Sequence, residues 1–501
     1  MEDEASNKKN THMKFSKNIK SVLILAIVAI SCNKSTPTTS TSATSNNSSS
    51  TTYNDLFVPP SITGTNFNLT LDKATKQFKS GALTATYGYN GNSFWGPTLI
   101  MNQGDDVKIN VTNNLTDQTT VHWHGFHIPA VMDGGPHQII DAGAKWSPNF
   151  KIKNNAGTYW YHPHLHMKTY EQLAKGAGGF IIVKDPVESA LALPRTYGTD
   201  DIPLVLTSRR FNADNSFDIS GAYGDYLLAN GTMNAQIILP KQYVRLRILN
   251  AEIERGYDLG LSDNRSFNII GNDGGLLNAP ITTTRVKIMP GERVEILVNL
   301  GNDAEGSTID LKAYNTGQKF GFPGAEPAAA GDFGSLLNNK DFSVLHLKVG
   351  ASTSTAITSI PSKLANNIYW TNSDVTNSRT INIAGGQAGS AFTFDNNTYG
   401  FTTINQTIQL NAIEKWTIVN NNIFGHSFHV HDVQFKIIAR SSGTVGEQES
   451  GWKDTVYVPL GETVTVIAKF DDFSDAVNPF MYHCHFSNHE DGGMMGQFLV
   501  K

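Results

Sequence analysis

The chain has 501 residues, which is too long for one hydrophobic core and corresponds to about three domains. Charged residues make up 17% and aromatic residues 10%, with 44 glycines, and this composition favours a loop-rich β protein over a helical one. The formal net charge is −5 and no segment gathers a block of lysines and arginines, so nucleic acid is not expected as a partner.

The chain opens with the pattern of a targeting segment. Lysines precede the apolar run 21–31, which has the length of a signal-peptide core and is short for a membrane span. The run ends in Ala29-Ile-Ser-Cys32, which resembles a bacterial lipobox, so residues 1–31 are predicted to be a lipoprotein-type signal peptide, with the lipid on Cys32. Met13 is an alternative start, and a plain cleaved signal or a short membrane anchor is the competing interpretation. The predicted location is extracytoplasmic, in the periplasm or at the cell surface.

A polar segment follows the targeting region. Residues 32–55 are rich in Ser, Thr and Asn with almost nothing apolar, which predicts a flexible tether. From Leu56 onward, short alternating strands are separated by Gly, Asn and Asp, a pattern typical of β-sandwiches. The only cysteine besides Cys32 is Cys484, so no disulfide is expected if Cys32 is lipidated.

An internal repeat divides this β region into three parts. Similar strands, each leading to a second strand, recur at 107–114, 244–250 and 416–421. The second strand carries histidines in the first and third copies and none in the middle copy. We therefore predict an all-β chain of three consecutive sandwich domains, of which the middle one is a spacer. The predicted domain ranges are 56–186, 187–354 and 355–501.

Histidines cluster at four places. The first three clusters are His122-Trp-His124, His162-Pro-His164 and His426-Ser-Phe-His429-Val-His431. The fourth is His483-Cys484-His485, which is followed by His489 and Met494. One thiolate with two imidazoles and a weak axial methionine is the ligand set of a blue-copper electron-transfer centre. Neighbouring residues of a strand point to opposite faces, so His483 and His485 can bind a second metal centre on the side away from the Cys484 sulfur.

These clusters, in this order, make the chain from about residue 56 onward resemble the multicopper oxidases. The resemblance implies four copper ions and a cupredoxin-like Greek-key fold for each of the three β-sandwich domains. It assigns the type 1 copper to His426, Cys484, His489 and Met494, with Met495 as the alternative axial ligand. It assigns the type 2 copper to His122 and His429. It assigns the type 3 pair to His124, His162, His164, His431, His483 and His485.

Other polar residues near the motifs have less defined roles. Asp133, in an Asp-Gly-Gly sequence, and Glu490, next to His489, match acidic positions that the family uses for proton delivery or hydrogen bonding beside the copper cluster. Each carboxylate is also explained as a turn or capping group. His127, His137 and His166 fall outside the ligand spacing, so we interpret them as groups that support the ligands or lie at the surface.

The resemblance implies an oxidase that takes electrons from a small reducing substrate and reduces dioxygen to water. Related cuprous oxidases use methionine-rich inserts, yet this chain has no methionine between Met289 and Met481, and thioethers are what select Cu(I). We therefore expect a monomeric, laccase-like oxidase of phenolic or aromatic donors. The loop 317–333 either borders the donor site or is an exposed connector. A metal-ion oxidase and a copper-binding protein without catalytic activity are the alternatives.

Overall fold

A computed structural model describes residues 52–386 and 390–501. The predicted signal peptide, Cys32 and most of the predicted tether lie outside the described residues. Within those two ranges no helix is long and apolar enough to cross a membrane. The strands of the described ranges form six sheets, which pack in pairs as three β-sandwiches. The all-β prediction is therefore confirmed.

The first sandwich is built from alternating strands around one apolar core. Along the segment that begins at Asn66, Phe67, Leu69 and Leu71 point inward while their neighbours face outward. After a two-residue strand, β1 (Asn54–Asp55), the strands of this sandwich are β2 (Ser61–Thr63), β3 (Asn66–Lys76), β4 (Thr84–Tyr89), β5 (Thr98–Asn102), β6 (Asp106–Asn113), β7 (His122–His124), β8 (Lys145–Trp146), β9 (Asn149–Lys151), β10 (Gly157–His162) and β11 (Gly179–Lys184). One sheet has the order β2-β5-β11-β10-β7, and the other has the order β4-β3-β6-β8 with β9 also on β6.

The middle sandwich has the largest apolar core of the three and contributes no histidine to the four clusters. Its strands are β12 (Asp201–Phe211), β13 (Phe217–Asp218), β14 (Tyr226–Ala229), β15 (Ala235–Pro240), β16 (Tyr243–Asn250), β17 (Tyr257–Leu261), β18 (Phe267–Asn272), β19 (Gly275–Thr283), β20 (Val286–Ile288), β21 (Arg293–Asn299), β22 (Thr308–Tyr314) and β23 (Asp341–Gly350). One sheet runs β1-β15-β23-β22-β17-β20, and the other runs β13-β12-β16-β21-β18-β19 with β14 on β12.

The third sandwich places its histidine strands at the centre of a sheet. Its strands are β24 (Asn377–Gly385), β25 (Phe392–Phe394), β26 (Gln406–Ile408), β27 (Ala412–Asn420), β28 (His426–Val430), β29 (Phe435–Arg440), β30 (Thr455–Val458), β31 (Thr463–Phe470), β32 (Asp475–Cys484) and β33 (Met495–Val500). The sheet orders are β25-β24-β27-β31-β29 and β26-β33-β32-β28-β30. Short helices lie at α1 (Thr169–Ala174), α2 (Pro186–Ser189) and α3 (Ser487–Asp491), and 3-10 turns lie at Ala130–Met132, Gly331–Phe333 and Glu447–Glu449.

The ends of the predicted domains differ from the structure in two places. Strand β1 pairs in parallel with β15, and Leu56 is buried in the core of the middle sandwich. Tyr53 stacks on His346 with ring centroids 4.0 Å apart, so the predicted tether is folded before residue 55. Leu364 also packs into the middle core, so the third sandwich begins after it rather than at residue 355. Backbone pairing along an open sheet edge holds these polar segments, and composition does not reveal such pairing.

His127 joins the first and third sandwiches. Its Nδ1 lies 2.8 Å from Asp432 Oδ1, and its Nε2 lies 3.0 Å from Asp472 Oδ2 and 3.7 Å from Asp471 Oδ1. Lys153 approaches the same Asp472 carboxylate at 2.6 Å. Burial lowers the pKa of His127, but the surrounding carboxylates outweigh this effect and raise it to about 9. The protonated ring therefore acts as a cationic bridge between the two sandwiches.

We expect this bridge to make stability fall with rising pH. Because the folded pKa of His127 exceeds the unfolded value of 6.5, its stabilisation is complete below about pH 6.5 and is lost as the pH rises through about 9. The shift corresponds to at most about 3 kcal/mol, and the buried charge of Asp432, whose pKa burial raises to about 6, offsets part of it. Chemical denaturation of the wild type and His127→Gln at pH 7 and pH 10 measures the effect. The difference in unfolding free energy should shrink at pH 10, and an equal difference at both values would contradict the bridge.

Candidate metal centre

The four histidine clusters meet where the first and third sandwiches face each other. Within the first sandwich, β7 and β10 pair so that Trp160 lies opposite His124 and His162 lies opposite His122. Within the third, β28 and β32 pair so that His429 lies opposite His483 and Phe428 lies opposite Cys484. All ten predicted histidine ligands are buried. Strand pairing thus converts four separated motifs into one buried region.

The residues around Cys484 form the first group, which we call the Cys484 site and define as His426, Cys484, His489 and Met494. The Cys484 sulfur lies 3.6 Å from His426 Nδ1 and 3.7 Å from His489 Nδ1. The nitrogens and the sulfur are close enough for one ion to bind all three. Burial lowers the pKa of His426 to about 3 and that of His489 well below its usual value, so both rings are neutral and able to bind metal.

A short helix and the tight turn after it place His489 and Met494, the last two members of the Cys484 site. Helix α3 follows Cys484 directly and carries His489 back beside the sulfur. Gly493, at φ +92°, then reverses the chain, and the Met494 N–H donates to the His489 carbonyl at 2.9 Å. Met494 is buried in the same apolar cluster as Cys484, whereas Met495 is the cross-strand partner of His483. This placement favours Met494 over Met495 as the axial ligand.

Eight histidines on the other side of β32 form the second group, called here the eight-histidine cluster. Its members are His122, His124, His162, His164, His429, His431, His483 and His485. In one triad, His124 Nδ1 lies 3.4 Å from His162 Nε2 and 3.2 Å from His485 Nε2. In the other triad, His164 Nε2 lies 3.1 Å from His431 Nε2 and 3.2 Å from His483 Nε2. Each triad draws on both the first and the third sandwich.

His122 and His429, the remaining pair, each present one ring nitrogen that is free to bind a ligand. His122 Nδ1 lies 2.9 Å from the Asp133 carbonyl, and His429 Nδ1 lies 2.8 Å from the Asp454 carbonyl. A carbonyl only accepts hydrogen bonds, so the proton is on Nδ1 and Nε2 presents a lone pair. Both Nε2 atoms are buried without a hydrogen-bond partner in the described residues. Orphaned buried nitrogens are costly, so a metal ion fits these residues.

Most rings of the eight-histidine cluster contact an oxygen atom through the ring nitrogen that faces away from the other histidines. His162 Nδ1 lies 2.9 Å from the Pro163 carbonyl and His483 Nδ1 lies 3.1 Å from the Cys484 carbonyl. These contacts turn Nε2 of each ring toward the cluster. Burial and the neighbouring imidazoles hold the pKa of both rings well below 6.5, although Glu490 opposes this effect at His483, so neutral imidazoles converge there. Such outer contacts fix the tautomer and orientation of metal ligands.

The two carboxylates singled out from the sequence lie against these rings. Asp133 Oδ2 lies 2.7 Å from His431 Nδ1. Glu490 Oε1 lies 3.0 Å from His164 Nδ1, and Glu490 Oε2 lies 3.4 Å from His483 Nδ1. Burial alone would raise the pKa of Glu490, but His164 and His483 lower it to about 2, so the carboxylate is ionised. Both side chains therefore hold the triad of His164, His431 and His483.

Two functional candidates could not be found from the sequence. Asp454 Oδ1 lies 3.1 Å from His124 Nε2, and its only sequence signal is a carboxylate just ahead of β30. Glu254 comes from the middle sandwich and lies 3.7 Å from His489 Nε2, with its pKa raised by burial to about 8. Glu254 lies between the two strands of the repeat copy that lacks histidines, so no motif marks it.

The other histidines of the described ranges stay outside the ligand groups. His137 Nε2 bonds to the Gln497 side chain, and the His166 ring packs at the edge of Tyr399 with centroids 5.0 Å apart. His127 bridges sandwiches as described above, and His346 lies 2.6 Å from Asp310. None of these four belongs to the two groups defined above.

The loop 317–333 lies beside the Cys484 site. The Gly321 carbonyl accepts hydrogen bonds from the Gly425 N–H and the Tyr457 hydroxyl, both at 3.0 Å. Gly425 directly precedes His426. Phe333 stacks on Phe424 with centroids 5.3 Å apart. The loop is therefore joined to the strand that begins with His426, and it is not a detached connector.

Comparisons with known proteins agree with this geometry. Three family models, each described as multicopper oxidase, match residues 70–188, 160–308 and 371–501. A multicopper oxidase of Staphylococcus haemolyticus is 30% identical over 446 residues, which cover 87% of this chain and 88% of the relative. The cell division protein FtsP of Escherichia coli strain K12 is 31% identical over 452 residues, which cover 88% of this chain and 92% of FtsP.

A solved structure has the same fold over nearly the whole length. It is the laccase-like multicopper oxidase CueO of the lignin-degrading bacterium Ochrobactrum, at 29% identity and a TM-score of 0.80, with 89% of this chain and 100% of that chain covered. The cupredoxin-like fold expected from the sequence is thus confirmed. With a relative at 30% identity over most of both chains, this protein belongs to the multicopper oxidase family.

Proposed function

We propose that this protein is a laccase-like oxidase that couples one-electron oxidation of phenolic or aromatic donors to the four-electron reduction of dioxygen to water. The observation that carries the proposal is the presence of both donor groups, joined by the sequence His483-Cys484-His485. Four copper ions are proposed, one at the Cys484 site and three at the eight-histidine cluster. A protein without one of these groups could accept electrons or bind dioxygen, but could not couple the two reactions.

The side chains divide the task between them. Bound copper would supply one-electron redox chemistry at the Cys484 site and dioxygen reduction at the cluster. The Cys484 thiolate and the two imidazoles of its site suit both oxidation states, so little rearrangement accompanies electron transfer. One peptide bond separates Cys484 from His483 and another separates it from His485, which gives a short covalent path between the sites. In the proposal Asp133 and Glu490 orient cluster histidines, and Asp133 carries the protons that dioxygen reduction consumes.

The surface next to the Cys484 site favours an aromatic donor. Phe320, Ile423 and Leu460 are exposed by 69%, 45% and 38%, and they surround Gly321 in the loop beside the site. The absence of methionine between Met289 and Met481 removes the thioether donors that a cuprous-ion site would use. The related CueO of Ochrobactrum has oxidase activity towards lignin model compounds. An aromatic ring fits this apolar surface better than a hydrated metal ion does.

Two other functions remain as alternatives. Oxidation of Cu(I) would use the same copper groups with a different electron donor. A copper-binding role without turnover has one observation in its favour, the 31% identity to a protein named for cell division. The full set of twelve donor residues argues for catalysis, because a scaffold has no need of two coupled redox sites. An extracytoplasmic, lipid-anchored location is part of the proposal and rests on the sequence before residue 52, and the protein is proposed to be a monomer.

Dioxygen consumption by the copper-loaded full-length protein tests the donor assignment. 2,6-Dimethoxyphenol and Cu(I) are supplied separately, with metal-free protein as the blank. Faster turnover on the phenol is expected, and Phe320→Ser should raise the KM for the phenol without changing the Cu(I) reaction. Val477→Ser is the matched control, because Val477 is 78% exposed and lies in β32 outside this surface. Faster dioxygen consumption with Cu(I) than with the phenol would identify the protein as a metal-ion oxidase. No turnover with either donor would support the copper-binding role.

A further inference from the structure

A network of buried charges extends from the middle sandwich to the eight-histidine cluster. Arg293, Asp273 and Glu292 come from the middle sandwich, while Lys453 and Asp454 come from the third sandwich. All five are buried. The sequence assigns the middle sandwich a spacer role only, because it contributes no histidine. The network nevertheless reaches a histidine of the cluster.

Arg293 makes the contact that spans the two sandwiches. Its Nη1 donates to Asp454 Oδ1 at 2.8 Å and its Nη2 donates to Asp454 Oδ2 at 2.6 Å. The same Asp454 Oδ1 lies 3.1 Å from His124 Nε2. A carboxylate held on both oxygens by a planar guanidinium has a fixed direction. The proton of His124 is therefore on Nε2, and its Nδ1 faces the nitrogens of His162 and His485.

The middle sandwich also fixes Arg293 itself. The Arg293 N–H donates to Asp273 Oδ1 at 2.7 Å, and Arg293 Nη2 donates to the Asp273 carbonyl at 2.9 Å. Asp273 lies in the turn between β18 and β19, and its Oδ2 is 3.0 Å from Lys453 Nζ. Arg293 is therefore bound to Asp273 through both its backbone N–H and its guanidinium. Arg293 Nε also donates to the Thr158 carbonyl of the first sandwich at 3.1 Å, so the first and middle sandwiches together set the position of the guanidinium.

Gly125, directly after His124, shows how closely this pair fits against the cluster. A Cβ atom at Gly125 would lie 2.6 Å from Asp454 Oδ2 and 2.8 Å from Arg293 Nη2. Gly125 also has φ +85°, a conformation that favours glycine. Glycine is therefore the residue type that, directly after His124, allows the Asp454 carboxylate and the Arg293 guanidinium to approach this closely.

Stability is a poor explanation for this arrangement. Replacing a buried ion pair by apolar residues is often neutral or stabilising, because burying two charges is costly. A second buried network in the same sandwich, where Arg247 Nη1 donates to Glu295 Oε1 at 2.9 Å, contacts no histidine within 52–386 and 390–501. Arg293 differs from Arg247 because its contacts lead, through Asp454, to the predicted metal ligand His124.

We infer that Arg293 is a positioning residue for the copper cluster, which acts through Asp454 to hold His124 in its metal-binding orientation. The inference rests on the proposed function in one respect, namely that the eight histidines bind copper. It gives the middle sandwich a part in the redox site, although that sandwich supplies no ligand.

The test compares copper-loaded full-length wild type, Arg293→Met, Arg293→Lys and Arg247→Met. Copper content, the blue absorption of the Cys484 site and the near-ultraviolet absorption of paired coppers are measured beside dioxygen consumption. Circular dichroism of the metal-free proteins reports the fold. Arg293→Met should keep the blue absorption, lose the near-ultraviolet band and slow dioxygen consumption by about 10–100-fold, as for other outer partners of metal ligands. Arg293→Lys should recover part of the band, because an ammonium restores the charge without the two-pronged contact.

The controls separate the possible failures. Arg247→Met removes an equally buried arginine of the same sandwich and should keep both absorptions. If Arg293→Met binds copper and turns over like the wild type, or if Arg247→Met loses the near-ultraviolet band to the same extent, the positioning role is refuted. If the wild type itself binds no copper at the cluster, the proposed function fails instead.

Discussion

Cys484→Ser is expected to abolish the blue absorption and to stop turnover with every donor. A hydroxyl is a hard oxygen ligand, so it cannot replace the soft thiolate between His426 and His489. The loss should exceed the about 10–100-fold effect of removing an outer partner, because the only route for electrons is interrupted. The eight-histidine cluster should keep its copper. Absorption spectra, copper content and dioxygen consumption measure the three effects.

Met495→Leu is the control for Cys484→Ser. Met495 is buried and next to Met494 in the chain, but it lies opposite His483 and outside the apolar cluster that contains Cys484. Its replacement should leave the blue absorption unchanged. A Cys484→Ser protein that remained blue would contradict the assignment of the Cys484 site, and a changed reduction potential of that site in Met495→Leu would exchange the roles of the two methionines.

Asp133→Asn is expected to slow dioxygen reduction by about 10–100-fold while the blue absorption stays intact. The amide keeps the shape of the side chain, but it removes the charge 2.7 Å from His431 Nδ1 and cannot supply protons. The backbone carbonyl of Asp133 still holds His122. Stopped-flow reoxidation of the reduced, copper-loaded protein by dioxygen isolates this step from donor oxidation.

Asp141→Asn provides the comparison for Asp133→Asn. Asp141 lies on the following segment of the same sandwich, where its carboxylate accepts a hydrogen bond from Gln118 and contacts no histidine. That variant should reoxidise like the wild type. Reoxidation of Asp133→Asn at the wild-type rate would leave Asp133 as a turn residue and remove it from the mechanism.

The features that could be predicted from the sequence are those carried by local spacing. Alternation along β3 placed Phe67, Leu69 and Leu71 in the core, and the same period separated Cys484 from its two histidine neighbours. The strand pairing of the structure then brings all ten predicted histidines together, in two groups that correspond to the expected type 1 and type 2/type 3 sets. The roles of these residues as copper ligands stay a prediction.

The features that could not be predicted depend on contacts between distant segments. Arg293 and Asp454 are 161 positions apart, and neither lies in a motif. Glu254 contacts His489 from the middle repeat copy, which lacks histidines and was therefore expected to act only as a spacer. The pairing of Asn54 and Asp55 with β15 uses backbone atoms, which have no signature in composition. Spacing within one strand reveals ligands, whereas the groups that hold them are selected by packing.

The segment formed by β32, α3 and β33 follows all the other ligand-bearing strands in the chain, which bears on when the protein could bind copper during synthesis. His485, His483 and Cys484 each belong to a different one of the three ligand triads, so none of these triads is complete without this segment. A growing chain on the ribosome therefore carries histidines for hundreds of residues without a finished redox site. Copper would therefore bind these three triads only after residues 483–485 have been synthesised and have folded against the earlier strands.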